Sequence, residues 1–192
     1  MNTTTLDRMP PLAPETLDER QRAVAKALTE GPRGGVKGPF IPLLRSPELV
    51  EHVGKLGEYL RFGSTLEARI TELVMVIVAR EWTNHFEWTI HVPLAMKNGV
   101  PRATIDAIAE GRRPAQMRDD EAVAYAVCDE LSRTRGVCET TYREAAGRFG
   151  ERGVIELLAV HGYFAMVCAI MNVAHTPGPE ASGVEPLRPF PL

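Results

Sequence analysis

The sequence predicts an all-α fold, and three observations carry that prediction. Apolar residues recur at helical spacing in segment after segment, nothing alternates with period two over a useful length, and Ser, Pro and Gly punctuate the chain where helices would begin and end. At 192 residues the chain is long enough for one compact domain and short for two independent cores. The expected organisation is a tail over 1–14, a single helical domain over 15–175 with about seven to eight helices, and a Pro-rich C-terminal tail over 176–192.

After the Pro-rich start, an amphipathic helix sets Leu17, Val24, Ala27 and Leu28 on its apolar side. GPRGGVKGPFIPLL, 31–44, is a Gly/Pro loop in which no regular element is expected. A second helix starts with Ser46 as cap and Pro47 at the first position, and runs through LVEHVGKLGEYLRF. Ser64 and Glu67 are placed for a capping box that opens a third helix with the apolar run LVMVIVA. The fourth helix, WTNHFEWTIHVPLAMKNG at 82–99, contains Pro93, where a kink or a fresh start is expected. Pro101 starts a short fifth helix, and Asp119 to Arg133 forms a sixth with Ala122, Val123, Ala126, Val127 and Leu131 as its buried stripe. Thr140–Phe149 and Glu151–Ala174 complete the set, and HTPGPEASGVEPLRPFPL beyond them reads as an extended tail that docks on a surface or moves freely.

Composition narrows the function classes. The net charge of −3 and the absence of a basic block argue against nucleic acid as a partner. The N-terminus has neither the charged nor the apolar region of a secretory signal, and three scattered cysteines without a CxxC fit reduced thiols in a cytoplasmic protein. Leu157 to Ala174 is nearly long enough to cross a bilayer, but His161 and Asn172 interrupt it and no basic flank follows. No membrane partner is expected, and a helix apolar all round needs cover, part of which a neighbouring subunit would supply.

The richest chemistry lies in 82–99. At ~100° per residue, Asn84, Glu87, Trp88, His91 and Ala95 share one face. A carboxylate and an imidazole one turn apart, with an amide and an indole beside them, read as the wall of a small pocket rather than as ordinary surface or core. Glu87 and His91 can exchange a hydrogen bond along the helix, and shelter would tune either group to move protons near neutral pH. Glu72 stands among apolar residues on the preceding helix, where a carboxylate needs a partner such as His91 or His85. Asn84 would donate to a substrate carboxylate or cap its own helix, and His85 would line the same cavity or pack in a subunit contact. Arg61 and Arg80 flank the motif and could grip a carboxylate. Trp82, Phe86, Trp88 and Tyr163 read as wall and core. His85 and His91 lack the i,i+4 spacing that aims two imidazoles at one ion, so no metal site is expected.

The string YLRFGSTLEARITELVMVIVAREWTNHFEWTIHVPLAMKNGV resembles the carboxymuconolactone decarboxylase family, whose fold is that of alkylhydroperoxidase D. The later RFGERGVIELLAVHGYFAMVCAIMN is similar to that family's final long helix. The resemblance, over roughly 38–176, implies an all-helical homo-oligomer, usually a trimer or hexamer, with sites lined by the two motif helices. The peroxidase branch carries a Glu and then C-x2-C-x3-H. Here Glu72 and His91 stand at the Glu and His positions, while Asn84 and Glu87 replace the two cysteines. Neither can attack a peroxide or resolve a disulfide, so the resemblance is to the decarboxylase-like branch.

The expected function is therefore a cofactor-free, acid–base enzyme acting on a small carboxylated lactone or oxo-acid, by decarboxylation or a related lyase or isomerase step. His91 is its proton donor or anion stabiliser, Glu87 shares the proton transfer, and Glu72 orients His91; Asn84, His85, Trp88, Arg80 and Arg61 are candidate substrate contacts. A thiol-independent relative with peroxidase activity, or a silent ligand-binding oligomer, are the alternatives.

Overall fold

A computed structural model describes residues 6–31, 33–179 and 183–189; the rest of the two expected tails lies outside the described residues. Among the described residues the chain forms eight α-helices and no strand. After a short 3₁₀ turn at Pro14–Thr16 come α1 (Glu19–Glu30), the single turn α2 (Phe40–Leu43), α3 (Pro47–Glu58) and α4 (Ala68–Glu81). They are followed by α5 (His85–Lys97), α6 (Arg102–Ala109), α7 (Asp119–Thr134) and α8 (Glu139–Ala174).

The axis of the bundle is α4. Every residue from Arg69 to Arg80 is buried, because α5, α6, α7 and α8 all pack against it. This helix is hydrophobic almost all round, as a fully enclosed helix must be, and the polar exception at its start is paired. Arg69 (6 % exposed) bonds Asp120 Oδ2 at 2.6 Å and Glu121 Oε1 at 2.7 Å, which pins the start of α7 to the start of α4. Glu121 is fully buried. That pairing turns α7 so that Glu121, Ala124, Val127 and Cys128 face inward, and only Val127 of the expected stripe is fully buried.

Four local expectations are corrected. One turn of helix, α2, forms within the Gly/Pro loop, with Phe40, Pro42 and Leu43 buried. Ser64 does not cap α4: its hydroxyl donates to Glu156 Oε2 at 2.8 Å, and α4 begins four residues on, after Glu67. Ser46 makes no side-chain cap either, although Pro47 does open α3. α5 runs through Pro93 without a break. The two helices expected at the C-terminal end meet at Gly150, whose φ of 69° breaks α8 into two arms.

The C-terminal arm of α8 is, among the described residues, the one helical stretch long and apolar enough to cross a membrane, and 56 % of that window is buried in the fold. Its two polar interruptions have partners. His161 Nε2 lies 3.2 Å from Ser132 Oγ, and Asn172 donates to Trp82 O at 2.7 Å. The described parts of both tails dock: Arg8 N donates to Ala174 O at 2.8 Å, and Leu187 is 5 % exposed.

Candidate acid–base site

Three helices build the site. The turn between α4 and α5 is tight: Thr83 adopts φ 45° and Asn84 N donates to Ala79 O at 2.8 Å, so α5 folds straight back along α4. Asn84 Oδ1 then caps α5 by accepting from Glu87 N at 2.9 Å. With α5 so placed, His91 lies between two carboxylates. Its Nδ1 is 2.7 Å from Glu72 Oε2 on α4, and its Nε2 is 3.1 Å from Glu87 Oε2 one turn earlier. All three residues are buried. From α8, Phe164 sets its ring at 89° to the imidazole with centroids 5.0 Å apart, which fixes the ring plane and keeps water away.

Two carboxylates that both accept from one imidazole favour its charged form. Burial alone would lower the pKa of His91, but the hydrogen bonds and charges of Glu72 and Glu87 outweigh it and raise the value to about 9. At neutral pH His91 is therefore an imidazolium that donates from both nitrogens. Its proton is held in a dry setting, between groups that can receive or replace it.

Glu87 and His91 open onto a cavity of about 260 Å³, whereas Glu72 stands behind the ring and out of it. Phe86, Tyr163 and Phe164 supply apolar wall. Gly38, at φ 54°, brings the loop against Phe86, where a Cβ would stand 2.5 Å from the ring. The lining also carries Arg33, Lys37 and Arg61. Among the described residues no carboxylate pairs with these three cations, and the buried Nε of Arg61 meets no acceptor. Glu58 and Glu87 bring two carboxylates to the same lining.

The expected residues divide accordingly. Glu72, Glu87, His91 and Arg61 come together at or behind the cavity. Asn84 does not reach it; besides capping α5, its amide donates to Asn172 Oδ1 at 2.8 Å and ties α5 to the end of α8. Trp88, 3 % exposed, faces a separate cavity of about 1090 Å³ between α5, α6 and residues 183–188. Arg80 is directed to the C-terminal segment, donating to Arg188 O at 2.8 Å, and burial lowers its pKa. His85 is exposed at the first turn of α5, with Gly178 against its backbone. The helical face read from spacing is buried as a unit; its members separate because α5 is packed on two sides. Arg33 and Lys37 went unread because they lie in an irregular loop, where no periodicity aims a side chain.

The thiols lie elsewhere in character. Cys128 and Cys168 are buried, and burial pushes both thiols up and keeps them protonated. Cys138 is exposed at the start of α8, beside Glu130 and Thr141.

Residues 47–130 match the carboxymuconolactone decarboxylase family, the stretch that runs from α3 into α7 and contains Glu72, Glu87 and His91. No curated protein matches the chain. Among solved structures, the fold is similar to a crystal structure from Agrobacterium tumefaciens of a protein of unknown function, given there as a candidate antioxidant defence protein AhpD. The two share 16 % identity with a TM-score of 0.63, over 71 % of this chain and 94 % of that one.

Proposed function

We propose, on the premise that residues 47–130 belong to the carboxymuconolactone decarboxylase family, that the chain is an acid–base enzyme acting on a small carboxylated lactone or oxo-acid. One observation supports this reading above the others. His91, bonded on both ring nitrogens to buried carboxylates, opens with Glu87 onto a cavity that also bears three cations without ion-pair partners among the described residues.

In a decarboxylation the bond from carbon to the leaving carboxylate breaks, carbon dioxide departs, and the electron pair passes into the conjugated carbonyl as an enolate. The conjugated carbonyl itself receives the electrons, so the reading calls for no cofactor. The cations of the lining stabilise that charge. The imidazolium of His91 returns a proton to carbon, and Glu87, sharing Nε2 on the cavity side, passes on its replacement. Glu72 holds Nδ1 and with it the orientation of the ring, as a buried carboxylate does for a catalytic histidine. Isomerisation or hydration of a lactone would use the same groups.

The test is incubation with carboxylated butenolides and 3-oxo-acids, in which the bond that breaks is conjugated to the accepting carbonyl, following carbon dioxide and product mass. Turnover is expected in the native protein and none in His91→Gln, which keeps hydrogen-bonding capacity but carries no transferable proton near neutral pH. Undiminished turnover in that variant removes His91 from the mechanism.

The likeness to the Agrobacterium candidate AhpD protein favours a second reading, peroxide reduction. By the thiol route it would fall to Cys138, the exposed cysteine. Iodoacetamide treatment that eliminates a peroxide-reducing activity would support this second reading.

A further inference from the structure

Arg33 and Tyr163 converge on Gly57 from distant parts of the chain. A Cβ built on Gly57 would stand 2.2 Å from the Tyr163 hydroxyl oxygen and 3.2 Å from a terminal nitrogen of Arg33. The bare backbone of α3 is thus a condition for both groups to sit where they do. Arg33 enters from the loop between α1 and α2 and is held firmly for a loop residue. It donates to Gly54 O at 3.0 Å, lies 4.3 Å above the Phe40 ring, and shares with the Tyr163 hydroxyl the space over Gly57. Tyr163 is 7 % exposed on α8. Both line the cavity that holds Glu87 and His91, and neither lies within the residues matched to the family.

Among the described residues this half-buried guanidinium makes no ion pair; its neighbours are a carbonyl, a ring face and a phenol. Its planar fork matches a carboxylate better than any other small group. Lys37, by contrast, is exposed on a flexible stem. We propose that Arg33, held in place by Gly54 and Phe40 beside Tyr163, is the residue that selects a free carboxylate on the substrate, which makes the loop residues 33–39 part of the active site. Tyr163 is a positioning residue that acts through Arg33. This rests on the reading above that the cavity takes a carboxylated molecule.

The experiment is calorimetric binding of one probe pair, butenolide-5-acetate and its methyl ester, to the full chain. The native protein is expected to prefer the acid by roughly tenfold or more, the scale of a charge-assisted hydrogen-bonded pair. Arg33→Gln should lose that preference while binding the ester unchanged, and Tyr163→Phe should weaken it in part. If Arg33→Gln does not fold, Arg33→Lys is read in the same assay: it keeps the charge and loses the fork, so a several-fold smaller preference supports the proposal. A native preference that survives in these Arg33 variants overturns the role of Arg33 and leaves the carboxylate reading standing. No preference in the native protein, or no binding of either probe, overturns the carboxylate reading and this proposal together.

Discussion

At the scale of single residues, His91 is where burial and charge oppose each other most strongly, and charge wins. Its folded-state pKa of about 9 lies above the ordinary 6.5. The stabilisation it contributes is therefore complete below pH 6.5 and is lost as pH rises through about 9. Urea unfolding of the native protein and of His91→Gln at pH 6 and pH 10 should show their difference shrinking by up to about 3 kcal/mol across that window. Glu72→Gln removes one of the two charges and should move the NMR titration midpoint of the His91 ring downward; an unmoved midpoint would show that Glu72 has no hold on the proton. This much of the site was legible in the sequence. The spacing of Glu87 and His91 and a lone carboxylate in an apolar helix are local signals, and both pointed to contacts that the structure makes. Asn84 was ambiguous because an amide beginning a helix caps as readily as it binds. Only the position of Asn172, far along the chain, decides what its other half does.

At the scale of elements, the break in α8 follows from one residue. Gly150 takes φ 69°, and a Cβ there would meet nothing within 4 Å. Gly150→Ala should consequently cost about 1 kcal/mol through backbone strain alone, read as a lower thermal midpoint with an unchanged helical spectrum. The two arms were legible because the apolar period falters at RFGERG. The start of α4 was misread for the opposite reason. Ser64 and Glu67 have capping-box spacing, yet Glu156 gathers Ser64, Thr65 and Tyr59, and those bonds hold its carboxyl well below the usual range although burial pushes the other way. A hydroxyl with a buried carboxylate in reach serves it before its own helix. Periodicity likewise placed the inward side of α7 a little away from where the Arg69–Glu121 pair sets it, because the pattern counted apolar residues and the buried side is led by a glutamate.

At the scale of the whole molecule, the C-terminal segment is a fastened piece of the fold. Leu187 is nearly buried and Arg188 O takes a hydrogen bond from Arg80. Deleting residues 183–192 should lower stability by about 2 kcal/mol for the lost apolar burial, a fall of roughly 5 °C in the melting temperature. Turnover should persist, since none of the described residues in that segment lines the small cavity; its loss would place the segment in the reaction. On the outward side of α8, Ile155 and Val173 are 66 % and 60 % exposed. The family match ends within α7, while Phe164 and Tyr163 come from α8. During synthesis the proton-handling residues therefore emerge well before the wall that shelters them. A nascent chain that ends before α8 has His91 and both glutamates but water between them, where their attraction is weak. The wall that α8 provides is thus the last part of the site to be made.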